Sequence, residues 1–149
     1  MSKQDEAGLI LKLYELRKED SMRKAGDWYF RDFNPRSIAD FNEGLFKEHS
    51  GQLWIVVSFW DMAAALVNGG AISLDLFTST NSEHIVVFSK IEPLLAEIRR
   101  AYAPDFAVNL EKLIDAIPDG RNRTAKVRED INASRDQMAA RLAKYPYNG

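Results

Sequence analysis

The sequence predicts an all-α fold, a single-domain bundle of about five main helices with one or two short ones between them. Three observations lead there. Apolar residues recur at three- and four-residue intervals along most of the chain. No stretch of useful length alternates as a half-buried strand would. Proline, glycine and capping residues punctuate the apolar runs at helix-sized intervals. At 149 residues the chain is long enough to bury one sizeable core.

The first segment reads as a long helix from Asp5 to Phe33. Leu9, Leu13 and Leu16 share a face, and Asn34-Pro35 ends the run. The apolar face rotates after Asp20-Ser21, where Met22, Ala25, Tyr29 and Phe33 take over. Either the helix bends there or its halves face different neighbours. A short helix follows with Ser37 as its N-cap and Ile38, Phe41, Leu45 and Phe46 facing inward.

The central helix spans Ser50 to Asn68 and is apolar nearly all round, the pattern of an element surrounded by others. Its longest apolar stretch, Leu53 to Val67, falls short of the ~20 residues that cross a bilayer, and Asp61 interrupts it. A buried core helix is expected, and no membrane partner. Gly69-Gly70 supplies a left-handed residue to close it, and Ser73 caps a short turn, Leu74 to Phe77. From Ser82 onward the stripe Phe88, Ile91, Leu95, Ile98 and Tyr102 keeps phase across Pro93. Proline removes the donor to the Ser89 carbonyl, so one helix kinked at Pro93 is expected. Phe106, Leu110, Leu113, Ile114 and Ile117 mark another helix, stopped by Pro118-Asp119-Gly120.

The last helix, about Asn122 to Tyr145, differs in kind. Its stripe is only Val127, Ile131, Met138 and Leu142 with some alanines, narrow for a core helix. Residues 121–149 hold seven basic and three acidic side chains, so +4, against −6 for the rest of a chain with net charge −2. The chain therefore divides into a helical bundle core, 1–120, and a basic amphipathic helix, 121–149. That helix is expected to dock on the core or on a second copy, with the four stripe residues as the interface.

The stretch from "FWDMAAALVNGGAISLDLF" to "FSKIEPLLAEIRR" resembles a family of short bacterial helical proteins of unknown function. An aromatic-plus-acid pair precedes a small-residue helix, then come a glycine turn with Ile and a helix ending in arginine. The likeness covers the middle third, Trp54 to Arg100, and implies a helical, cytoplasmic bacterial protein. It carries over no activity and no functional residue.

The chemistry is limited by what the chain lacks. With no cysteine there is no disulfide, thiolate nucleophile or cysteine-bound zinc, which fits the cytoplasm. The N-terminus lacks the pattern of a signal peptide. Nucleophile-elbow, zinc-protease and phosphate-loop motifs are missing, so no catalytic residue is assigned. His49 and His84 each follow a glutamate, but metal-binding bundles place Glu and His three residues apart on one helix. Both histidines are expected to be exposed at helix starts, and neither a metal nor a cofactor is expected.

Asp61 is the outlier. A carboxylate in the most hydrophobic part of the chain is either a tuned acid or a structural, hydrogen-bonded group. The structural version pairs it with Arg17, Arg23 or Arg31, or with backbone N–H groups, at about the level of Ile91. The functional version places Asp61 beside Trp60, Trp54, Trp28 and Phe88 in one aromatic ligand pocket. The expected function is a non-catalytic interaction or scaffold module acting as a homodimer through the last helix, with room for a further protein partner. A small-molecule binder or enzyme around Trp60 and Asp61 is the alternative, and nucleic-acid binding through Arg121 to Arg128 a weaker one. Acidic residues interleaved along that helix argue against nucleic acid.

Overall fold

A computed structural model of the chain describes residues 2–145. The fold is all-α. Its helices are α1 (Lys3–Arg17), α2 (Asp20–Arg31), α3 (Ile38–Phe46), α4 (Ser50–Asn68), α5 (Leu74–Thr80), α6 (Glu83–Ile91), α7 (Leu95–Ala101), α8 (Val108–Ala116) and α9 (Gly120–Lys144), with a 3-10 turn, Glu92–Leu94, joining α6 to α7.

The expected long first helix is two. Glu19 takes an extended conformation and starts a new helix at Asp20, because the two halves have different neighbours. α2 packs on α4, burying Ala25, Trp28 and Tyr29, while α1 buries only Leu13. Ser37 caps α3 as expected, accepting from the Asp40 N–H at 3.2 Å. Phe46, expected to face inward, is 68% exposed at the end of α3 and meets the edge of Tyr102.

α4 spans the residues its pattern predicts. It packs against α2, α3 and α8 and buries Leu53, Val56, Val57, Trp60, Ala63, Ala64 and Val67. It is not surrounded. Ile55 and Met62 are exposed and Phe59 and Leu66 half-buried, so its apolar circumference exceeds what the neighbouring helices cover. Its 19 residues, with a mean hydropathy of 1.3 over their most apolar window, reach the length and apolarity of a membrane span. Gly70, at φ 86°, supplies the left-handed turn after the helix.

Pro93 lies in the 3-10 turn, so the expected kink is a short change of helix type between α6 and α7. Gly120 has a steric reason to be glycine. A β-carbon there would stand 2.0 Å from the Ile114 carbonyl oxygen, because the chain doubles back tightly from α8 into α9. The preceding Asp119 is left-handed, at φ 58°.

Candidate functional site

The first half of α9 lies on the bundle. Thr124 is fully buried, Val127 packs on the core, and α9 runs along α6 and α8. Charged side chains fix the contact. Arg128 donates to the Ser89 carbonyl at 3.0 Å and to Glu92 at 2.9 Å. Arg121 binds Asp115 through two nitrogens, at 2.6 and 3.0 Å, and reaches Glu92 at 2.8 Å and Glu111 at 3.0 Å. Arg99 holds the other oxygen of Glu111 at 2.8 Å. Burial alone would raise the Glu111 pKa, but the hydrogen bonds from Arg99 and Arg121 outweigh it and hold the carboxyl below its ordinary value. The bond from Arg121 does the same to Asp115.

Further along, α9 passes the end of α2. Asn132 accepts from Asn34 at 3.1 Å, Arg135 donates to the Arg31 carbonyl at 2.8 Å, and Asp136 pairs with Arg36 at 3.2 Å. Beyond that point every residue from 136 to 145 is exposed. An apolar groove of about 840 Å³ opens along this side of α9. Phe30 and Val86 belong to the body, and Val127, Ile131, Met138 and Leu142 to the helix. All four sequence-expected interface residues therefore line one groove. Met138 and Leu142 are 55% and 54% exposed.

The five residues expected to form an aromatic pocket do not come together. Trp60 is 1% exposed, against Phe77 and His84, with the Arg17 guanidinium over its ring. Phe88 is fully buried beneath Arg121. Trp28 stacks between Phe33 and His49. Trp54 and Asp61 do share a cleft, but it is small, about 180 Å³. The reason is spacing: these aromatics leave their helices toward different neighbours, where Trp60, Phe88 and Trp28 are already packed and Trp54 stays 43% exposed.

Asp61 is answered by α8. The Leu110 N–H donates to Asp61 Oδ1 at 2.9 Å, and Asn109 Nδ2 donates to Oδ2 at 3.1 Å. Ala107 stands at the N-cap of α8 in a left-handed conformation and has no side-chain oxygen to offer. Asp61 caps that helix from α4, where the exposed N–H groups and the helix dipole favour a negative charge. The partner is backbone, not an arginine of the first helices.

Two buried polar groups escaped the sequence reading. Lys90 is 4% exposed and donates to the carbonyls of Tyr29, Phe30 and Phe33 at 2.7, 3.3 and 2.6 Å. Its three donors fit the open carbonyls at the end of α2. Burial lowers its pKa to about 8, Arg135 adding to the effect and Asp32 opposing it, so Lys90 is charged at neutral pH. A lysine interrupting the apolar run of α6 was the available signal. His84 is the second, and it corrects an expectation. It is fully buried between Phe77 and Trp60, and both ring nitrogens lack a partner among the described residues. Desolvation, helped by Arg123, lowers its pKa to about 4. His49 remains part-exposed, 41% at the side chain. Among the described residues no three His, Asp or Glu side chains converge as metal ligands.

The family model of a domain of unknown function, DUF4760, matches residues 5–117. The chain belongs to this family. No match is found among curated proteins or among solved structures. The DUF4760 match is broader than the middle-third resemblance, running from α1 through α8 and ending at Ile117, the C-cap of α8. The groove therefore joins a DUF4760 surface, Phe30 and Val86, to a helix outside the matched residues.

Proposed function

We propose that this DUF4760 protein is a non-catalytic, cytoplasmic interaction module that works as a homodimer through α9. One observation carries the reading: a helix anchored to the body by its first half presents Met138 and Leu142 beside an open apolar groove. Exposed apolar surface of this kind, rimmed by charge, marks a contact with another protein. The uncovered Ile55 and Met62 on α4 leave a second surface for a further protein partner.

The alternatives have less support. Asp61 has both oxygens engaged by α8, and Trp60 is packed in the core, so little remains of a working acid beside an aromatic pocket. Of the four basic residues from Arg121 to Arg128, Arg121, Lys126 and Arg128 are bound to carboxylates, which neutralises most of the strip that a nucleic-acid backbone would need.

The test is sedimentation equilibrium of the wild type beside Met138→Asp/Leu142→Asp. Both positions are exposed, so neither substitution disturbs the core, and circular dichroism checks that α9 stays helical. The reading expects a dimer for the wild type and a monomer for the variant. Equal masses for the two would contradict it.

A further inference from the structure

We infer that the groove is occupied by α9 of a second copy, antiparallel to the first, about a two-fold axis that passes beside the helix at the level between Ser134 and Arg135. This rests on the homodimer reading above and specifies the contact.

The apolar stripe is symmetric about that point. Val127 and Leu142 stand equally far from it, and so do Ile131 and Met138. An isologous contact needs a self-complementary surface. An antiparallel pair centred there sets Val127 against Leu142 of the second copy, and Ile131 against its Met138.

Shape selects the antiparallel direction. Residues 136–145 are exposed all round, whereas Val127 and Ile131 face a groove whose floor, Phe30 and Val86, comes from the body. Antiparallel packing lays each bare arm along the other copy's floored half and keeps the two bodies at opposite ends. A parallel pair would crowd both bodies at one end and leave both floors uncovered.

Charge on the Asp130 flank agrees with the register, while on the other flank Arg135 meets its own copy beside the axis, each guanidinium turned to the Arg31 carbonyl of its own chain. At ~100° per residue, Asp130 and Arg141 lie on the same side of the stripe. Antiparallel helices bring like flanks together, so Asp130 faces Arg141 of the second copy at an axial offset of two residues, ~3 Å. The two-fold axis makes this ion pair twice. Among the described residues of the single chain Asp130 is held only by Lys126, in an exposed i,i+4 pair.

The absence of cysteine from the 149 residues makes the register directly readable by disulfide trapping in the whole 149-residue chain. Ser134→Cys, next to the axis, should cross-link to itself on mild oxidation. Val127→Cys alone should not, because its two copies would stand ~22 Å apart along the helices, beyond any disulfide. Val127→Cys mixed with Leu142→Cys should give the mixed dimer. Leu142 is exposed and Ser134 is a surface residue, and at half-buried Val127 cysteine is itself a small hydrophobe that keeps part of the core contact. A dimer that cross-links Val127→Cys to itself would overturn the antiparallel register while sparing the homodimer reading. A mass of 16.9 kDa at all concentrations would overturn both and leave the groove to a helix of another protein.

Discussion

Arg128 donates to the Ser89 carbonyl at 3.0 Å, and that carbonyl is the one Pro93 leaves without its helical donor. A defect in one helix is thus filled by a side chain of another. The same guanidinium binds Glu92, so α9 is fixed where α6 gives way to the 3-10 turn. This contact holds the first half of α9 on the body, while residues 136–145 are exposed.

Removing the guanidinium tests that role. Arg128→Ala should destabilise the protein by about 2 kcal/mol, since it strips a charged hydrogen bond from a carbonyl that Pro93 deprives of its helical donor. Pro93→Ala restores a backbone N–H to Ser89. In denaturant melts, the loss caused by Arg128→Ala should therefore be smaller in the Pro93→Ala background. Strict additivity would separate the two residues.

Asp61 acts as a cap, so its variants should grade by hydrogen-bonding ability. Asp61→Asn keeps one acceptor for the Leu110 N–H and should cost less than about 1 kcal/mol. Asp61→Ala leaves the start of α8 uncapped and should cost about 1–2 kcal/mol. A stabilised Asp61→Asn would show instead a carboxylate kept for function.

Lys90 should tolerate substitution poorly. Lys90→Met keeps the stem but leaves three carbonyls at the end of α2 without donors, at a cost of about 2–4 kcal/mol in chemical denaturation. A neutral effect would mean that water replaces the ammonium.

Acid should act on His84 before it acts on the carboxylates. The His84 pKa falls from an ordinary 6.5 to about 4 on folding. Below pH 6.5 the unfolded chain binds a proton that the folded chain refuses, so stability falls as pH drops toward 4. The slope approaches ~1.4 kcal/mol per pH unit. His84→Phe should flatten this window in urea melts, since the phenyl ring has no nitrogens to leave unpartnered. Glu111 and Asp115, held below their ordinary values, contribute stability that is present above pH 4.5 and is lost as pH falls through their lowered pKa values.

What the sequence made legible was local. Periodicity and caps placed α4 at Ser50–Asn68, a distortion at Pro93 and an apolar stripe on α9. What it hid depends on the arrangement of distant helices. The partner of Asp61 lies 49 residues away, so nothing near Asp61 marks it as the cap of α8. His84 begins a helix, usually an exposed place, but α5 brings Phe77 over it. Lys90 looked like an interruption in an apolar run because the carbonyls it serves lie about 60 residues earlier. The aromatic residues looked like a pocket only because composition carries no direction.

The two-part behaviour of α9 is tested most directly by amide hydrogen exchange at low and high protein concentration. Amides from 123 to 131 should be protected at both, being hydrogen-bonded within the half of α9 held by the chain's own body. Those from 136 to 144 should exchange fast when dilute and become protected as the concentration rises. Equal exchange of that last segment at all concentrations would contradict the account, because the exposed arm would then meet no second copy.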